Sequence, residues 1–449
     1  MANNRRKSVF SILTPAAGKA VRAAARLRGG GTAFPGKVVQ KIDPQFLSRM
    51  LEQLPCGTIL VSGTNGKTTT ARIVASLLEN IGYKVFTNPT GSNFTRGVVS
   101  ALIDKVSISG RLDADIAVLE LDEAYAVHFV KEVKPQYCLL LNVMRDQLDR
   151  FGEIDNTARL LSHAAAAATE TVVLNREDSR IARLSENVRG GADVQYYGLS
   201  QRLRKFFPAD DEMYSNEKQA GEVCSAESRS VEKADMPAAD VILSEVDGHK
   251  AVFEADGEQM SAELKLEGVY NLFNAAGALA TVRAVLRKNG KKVDNSALIK
   301  ALSNVTPAFG RGESIEINGT IADLILVKNP MGFRLSLSSF DPKNHDTMIV
   351  INDQYADGRD MSWLWDVDFS GLAAGGVSFV SGTRATDMAL RLAYDGVKTG
   401  SIEENIESAT EKFANSNPGT PKRIYCTYTA MLAVRAKLAK MTSVEDAGL

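Results

Sequence analysis

The stretch "VSGTNGKTTTARIVASLL", residues 61–78, decides the fold. A short apolar run from Thr58 to Val61 leads into it, and after the loop Ile73, Leu77 and Ile81 recur at helical spacing with Val74 and Leu78 beside them. A strand entering a glycine-rich turn at a helix N-terminus makes an anion site. Backbone N–H groups point outward there, and the helix dipole favours negative charge. Gly63 and Gly66 let the backbone come close to a phosphate, with Thr64, Asn65 and Thr69 completing the loop. Lys67 is placed to reach β and γ oxygens, and the Thr68 hydroxyl to hold Mg²⁺. The usual P-loop has four residues between its glycines; here its first glycine would fall on Val61, so the motif is the shorter G-T-N-G-K-T. The expected fold class is α/β, with ATP and Mg²⁺ at the loop.

Composition narrows the rest. A chain of 449 residues has room for roughly two to four domains, each with its own core. Net charge is −1 and basic–aromatic interleaving is absent, so nucleic acid is not an expected partner. Cys56, Cys138, Cys224 and Cys426 are far apart and form no C-x-x-C, which fits a reduced cytosolic compartment and gives no zinc or disulfide framework. No run approaches the roughly 20 apolar residues of a membrane span. Residues 1–44 read as a basic arm: nine basic side chains precede the first acid, Asp43, so residues 1–42 carry a formal charge of +9. "RRKSVFSILTPAAGK" is not read as an export signal, since its uncharged run is short and holds Pro15. The arm suits either an anionic membrane surface, as a peripheral contact, or a solvated basic helix.

Residues 45–310 read as the nucleotide-binding unit. Strands are expected near 58–62, 115–120, 137–142 and 171–175, with helical patterns between. Residues about 200–240 are charged and poor in apolar side chains, the composition of a mobile insertion. Hairpin-like alternation follows at 241–267, then a helix opening at "GVYNLFNAAGALATVRAVL". A boundary falls near "TPAFGRGE", and 311–449 read as a second, smaller, Rossmann-like α/β unit with strands near 321–327, 347–351, 377–381 and 422–426. "AVLELDEA" sets Glu120 at a strand end, where an acid serves Mg²⁺, with Asp122 and Glu123 just after it and Asp122 reading as a cap of the next helix. "LNVMRDQLDRFGEI" sets Asn142, Arg145, Asp146, Asp149 and Arg150 after the following strand.

"GTNGKTT", "LELDEA", "LNVMRDQLDRFG", "GVYNLFNAAGA" and "FGRGE" stand in the order seen in the Mur ligase family, which the chain resembles from about residue 45 to 440. "LVKNPMGF", "NDQYADGRDMSWLWDVDF", "SGTRATDMALRLAYDGV" and "YCTYTAML" resemble the MurT branch, the ligase-like subunits of lipid II isoglutaminyl synthase. The resemblance implies a Mur ligase-like central domain and an ATP-dependent carbon–nitrogen ligase that amidates the D-glutamate α-carboxylate of lipid II through an acyl-phosphate. It implies a GatD-like glutaminase as ammonia source. It assigns Gly66, Lys67 and Thr68 to phosphates and Mg²⁺, Glu120 to Mg²⁺, Asn271 and Asn274 to the helix facing the nucleotide, and Arg311 to an interdomain nucleotide contact. Asn88, Thr90, Asn93 and Arg96 would line the loop beside the active site, or serve as turn chemistry. Asp357, and next Asp360, would complete the glutaminase's Cys–His pair; a turn-forming role is the alternative.

The departures from the family pattern are equally informative. Gln147 stands where amino-acid-adding relatives have histidine, and no lysine occurs between Lys134 and Lys205, so their carbamoylated lysine has no counterpart. Their "D-x-A-H-N-P" becomes "LVKNP", with Lys328 near the histidine position. Many MurT proteins carry a four-cysteine zinc ribbon, but the insertion here has only Cys224, so no structural zinc is expected. No cysteine stands in a recognisable nucleophile motif with histidine, hence the need for a separate glutaminase. The competing readings are an amino-acid-adding Mur or folylpolyglutamate-type ligase, and a non-catalytic ATP-binding subunit.

Overall fold

In the computed structural model the described residues are 2–27, 34–88, 93–144, 154–204, 236–247, 249–266, 269–306, 311–339 and 344–442. They form two sheets. The first orders its strands β2-β3-β1-β4-β5-β6-β7-β8-β9. These are β1 (Thr58–Ser62), β2 (Val85–Thr87), β3 (Ile116–Glu120), β4 (Tyr137–Leu140), β5 (Thr171–Asn175), β6 (Asp193–Leu199), β7 (Val241–Asp247), β8 (Lys250–Ala255) and β9 (Glu258–Glu263). Strands β2 to β7 are parallel, and β7, β8 and β9 pair antiparallel.

The sequence explains the difference. Strands β1, β3, β4 and β5 are apolar almost throughout and buried on both faces, as parallel strands between helix layers must be. Strand β9 alternates buried and exposed residues over its second half, as a one-sided hairpin strand does. Helices α1 (Ala2–Leu27), α2 (Phe34–Ile42), α3 (Phe46–Leu51), α4 (Lys67–Asn80), α5 (Thr95–Lys105), α6 (Glu123–Glu132), α7 (Ile154–Ala167) and α8 (Val269–Lys288) belong to this half. One core cluster joins Ile73, Val74 and Leu77 of α4 to Leu272, Leu279 and Val282 of α8. A second, on the other face, joins Leu60, Leu119 and Leu140 to Val98, Leu102, Phe129 and Leu161.

The second sheet orders as β10-β11-β15-β12-β13-β14. Its strands are β10 (Arg311–Ile317), β11 (Thr320–Leu326), β12 (Asp346–Val350), β13 (Val377–Ser381), β14 (Thr399–Glu403) and β15 (Lys422–Cys426). Only the β10–β11 pair is antiparallel. Helices α9 (Pro330–Ser339), α10 (Ala385–Tyr394) and α11 (Tyr428–Leu438) follow β11, β13 and β15. The α/β class read from the sequence is the class found.

The arm has more structure than its charge implied. Helix α1 lies against α2 and α5: Arg22 pairs with Asp104 and donates to the Ser100 carbonyl at 3.0 Å, and Thr14 Oγ1 donates to Asp43 Oδ2 at 3.0 Å. A Cβ on Gly36 would fall 2.1 Å from the Arg96 carbonyl oxygen, so only glycine lets α2 cross α5 this closely. Part of the arm's positive charge is therefore neutralised within the protein. Among the described residues no helix is long and apolar enough to cross a membrane. Most of the 200–240 insertion, Cys224 included, lies outside the described residues. Strands β6 and β7, on either side of it, pair directly.

Candidate nucleotide site

Strand β1 is central, paired with β3 on one side and β4 on the other, and the loop leaves its carboxyl end between them. That is the position where open α/β sheets bind ligands. Asn142, just past β4, shapes the loop. Its carbonyl accepts from Thr64 N at 3.0 Å, its Oδ1 from Asn65 N at 2.8 Å, and its Nδ2 donates to the Asn65 carbonyl at 3.0 Å. Gly66 has φ 85°, and a Cβ there would lie 2.7 Å from Asn274 Nδ2 and 2.9 Å from Asn274 Oδ1. The turn thus needs glycine twice over, for its left-handed backbone and for the close approach of α8.

The two side chains assigned to Mg²⁺ meet: Thr68 Oγ1 donates to Glu120 Oε1 at 2.8 Å, and both are buried. Thr68 is in the first turn of α4 and Glu120 ends β3, so the contact follows from the parallel pairing of β1 and β3. Asn88 holds this strand end in register, accepting from Glu120 N and donating to its carbonyl, both at 3.0 Å. That contact is with the strand backbone, the turn-like alternative for this residue. Asn93 likewise accepts on its carbonyl from Asp122 N at 3.0 Å, and Arg96 is exposed. Thr90, Arg145, Asp146, Gln147, Asp149 and Arg150 lie outside the described residues.

Lys67 is 6% exposed, and its ammonium donates to the carbonyls of Gly63 at 2.6 Å and Thr64 at 3.2 Å and to Glu123 Oε2 at 3.2 Å. Asp122 Oδ1 is 3.7 Å away. Asp122 caps α6 through Glu123 N, as its position predicted. Burial pushes the Glu123 carboxyl up to about 7, against the pull of Lys67. Glu123, noted in the sequence only as one of the acids just after the strand end, is the carboxylate that pairs with Lys67. Its signal was its place one residue beyond the cap, on the helix face turned back to the loop.

The second sheet reaches the same loop. Asn65 Nδ2 donates to Asn329 Oδ1 at 3.3 Å and Asn329 Nδ2 to Asn65 Oδ1 at 3.0 Å, while Lys328 Nζ donates to the Thr64 carbonyl at 3.3 Å. Asn271 lies on α8 one turn before Asn274, and Arg311 opens β10, its backbone paired with Ile325.

These residues fit a Mg²⁺–nucleotide. The loop is a glycine cradle with a buried ammonium that donates to two carbonyls and a carboxylate. A hydroxyl and a carboxylate, the hard donors Mg²⁺ takes, stand together beside it. Among the described residues no three or more His, Cys, Asp or Glu side chains come together to hold another metal.

Asp357 and Asp360 are far from this loop in sequence and differ in setting. Asp357 is 2% exposed, and its carboxylate accepts from Thr429 N at 2.7 Å, from Thr429 Oγ1, and from Gln354 N at 3.1 Å. Burial raises its carboxyl above the usual range despite those bonds. Asp360 is exposed, held below the usual range by Ser362, and lines a cavity of about 290 Å³ with Arg359, Trp365, Arg384 and Asp387.

Residues 61–282 match the Mur ligase middle domain, and residues 326–431 the MurT ligase C-terminal domain. Both matches fall on the Mur ligase family, the second on its MurT branch. The chain is 28% identical over 432 residues to the "Lipid II isoglutaminyl synthase (glutamine-hydrolyzing) subunit MurT" of Streptococcus pneumoniae, covering 92% of this chain and 93% of that one. It is 29% identical to the protein of the same name from Staphylococcus aureus, covering 88% and 90%. Its fold is similar to that of the MurF ligase from Thermotoga maritima in complex with ADP, with a TM-score of 0.63 and 18% identity over 91% of this chain and 83% of that one. These relatives are named as synthase and ligase chains, and the loop after β1 lies within the residues that match the Mur ligase middle domain.

Proposed function

We propose that this chain is the ATP-using subunit of a glutamine-hydrolysing amidoligase that converts the D-glutamate α-carboxylate of lipid II to D-isoglutamine. The observation that carries the reading is the Thr68–Glu120 contact at 2.8 Å beside the buried Lys67. The names borne by its relatives supply the substrate class. A carboxylate is a poor electrophile. Its oxygen attacks the γ-phosphorus of ATP, ADP leaves, and the product is an acyl-phosphate. Ammonia then attacks the acyl carbon and phosphate departs. Mg²⁺, when bound, neutralises charge on the phosphates. Lys67 stabilises the transferring phosphoryl group, and the Gly63–Gly66 backbone orients it. Asn274 keeps the α8 side of the loop closed.

Ammonia in water at neutral pH is mostly ammonium, which has no lone pair to attack with. A glutaminase subunit of the GatD type would deliver neutral NH₃ by a closed path. Asp360, the exposed carboxylate of its loop, is the one a partner's histidine can reach. Asp357, committed to Thr429 and Gln354, braces the loop from inside, which reverses the order of preference read from the sequence. The units 1–44, 45–310 and 311–449 would then act as arm, activating domain and glutaminase-docking domain, on a cytoplasmic protein meeting lipid II at the inner membrane face. With purified glutaminase, lipid II, ATP and glutamine, the chain should release one ADP and one phosphate per amide formed. ADP release indifferent to lipid II, or amide formed without ADP, would overturn the reading.

A further inference from the structure

The Thr64 carbonyl accepts from two ammonium groups, Lys67 Nζ at 3.2 Å and Lys328 Nζ at 3.3 Å. The two lysines come from different sheets, and 264 positions in the chain separate Lys328 from Thr64. A carbonyl oxygen has two lone pairs and accommodates both donors, but two like charges on one atom repel. Such a convergence is stabilised when an anion enters between the cations.

Lys328 is not a loosely held surface lysine. The residue before it, Val327, is fully buried and donates its N–H to the Cys426 carbonyl. The residue after it, Asn329, is 1% exposed and is locked to Asn65 of the loop by the reciprocal amide pair. Asn329 Oδ1 also accepts from Gly332 N at 2.7 Å, capping the ten-residue helix α9. Lys328 is therefore held between a residue fixed to β15 and a residue whose side chain is fixed to the loop, and the first turn of α9, with its positive dipole end, starts beside it. Lysine, a compact point charge on a flexible stem, then needs only to swing its side chain from the carbonyl to a phosphate.

We propose that Lys328 is a second phosphate-contacting residue of the site, delivered from the second sheet onto the terminal phosphate of bound ATP. This rests on the reading of the loop as an ATP site. Gly66 and Thr68 at the helix start would grip the inner phosphates, and Lys67 the β and γ oxygens. Lys328, which enters over Thr64 at the outer end of the loop, meets the γ-phosphate. ADP, lacking that phosphate, would not engage it. The site would thus be complete for phosphoryl transfer only while the second sheet sits against the loop.

The test measures affinity rather than turnover. Mg–ADP and a non-hydrolysable Mg–ATP analogue are titrated calorimetrically into the full chain and into its Lys328→Met, Lys328→Arg and Lys67→Met variants. A charge-assisted contact to the γ-phosphate predicts that Lys328→Met weakens the triphosphate analogue about tenfold and ADP less than about twofold. Lys328→Arg should recover most of that loss, which a merely misfolded variant would not. Lys67→Met should weaken both nucleotides. Equal effects of Lys328→Met on both ligands, or none on either, would overturn the proposal while leaving the ATP site standing. Failure of the wild-type chain to bind either nucleotide would overturn the ATP reading, and this inference with it.

Discussion

Lys67→Ala should lower amidation by about 10²–10³-fold with either nitrogen source, the loss expected when one preorganised charge is removed from a transition state. The side chain is buried, with its ammonium against the Gly63 and Thr64 carbonyls and Glu123. Removing it leaves the Glu123 carboxyl without its cation. That carboxyl already sits near 7 through burial, so it takes up a proton instead of remaining a buried charge. A carboxyl raised in the folded state gives stability that is full at low pH and is lost as pH rises through about 7. Without Lys67 to lower it, the Glu123 value rises further, so the variant should stay folded but melt at a lower temperature at neutral pH than at pH 5. Circular dichroism and a melting curve check the fold, and amide formation with glutamine or with ammonium checks the activity. Near-normal amidation by a folded variant would remove this loop from the chemistry.

Asp360→Asn should separate the two nitrogen sources. If Asp360 orients the glutaminase's histidine, its loss leaves nucleophile and base present but poorly held. An internal triad loses about 10⁴-fold when its aspartate becomes asparagine, so a loss of about 10²-fold or more is expected here with glutamine. With high external ammonium the loss should be less than about threefold, because the acyl-phosphate half lies in the other sheet. Asp357→Asn should behave otherwise. It disturbs a buried carboxylate bonded to Thr429 and Gln354, at a cost of about 2–4 kcal/mol of stability. Both nitrogen sources should then suffer alike through a lower melting temperature. A glutamine-specific loss from Asp357→Asn, with Asp360→Asn silent, would restore the first assignment.

How much of this was legible in the sequence depends on distance along the chain. The P-loop and Glu120 were readable because each lies at the end of an apolar run, and β1–β3 parallel pairing brings such ends together. Strands β2, β10 and β14 were not readable. Three residues carry too little pattern in β2, "RGESIEI" reads as polar punctuation, and edge strand "TGSIE" is only half buried. Glu123 was named only as an acid after the strand, and its pairing with Lys67 was not legible because acids in a first helical turn are common for capping and dipole reasons alone. The Asn65–Asn329 pair and the reach of Lys328 to Thr64 are long-range facts, fixed by how two sheets pack, and no local pattern encodes them. The docking of α1 and α2 on α5 was hidden for the opposite reason. Nine basic side chains suggest a solvated or membrane-facing arm, whereas the deciding features are the small residue Gly36 and the single acid Asp104 on the helix that receives it.

The central claim is that ATP activates a carboxylate here, and oxygen transfer tests it most directly. Lipid II whose D-glutamate α-carboxylate carries ¹⁸O is incubated with the chain, glutaminase, unlabelled ATP and glutamine, and the released phosphate is weighed by mass spectrometry. If the carboxylate oxygen attacks the γ-phosphorus and phosphate later leaves from the acyl carbon, each phosphate carries one labelled oxygen and each amide forms with one phosphate. Phosphate free of label, alongside normal amide yield, would mean that ATP hydrolysis and amidation are separate events, and the account of this site would be wrong.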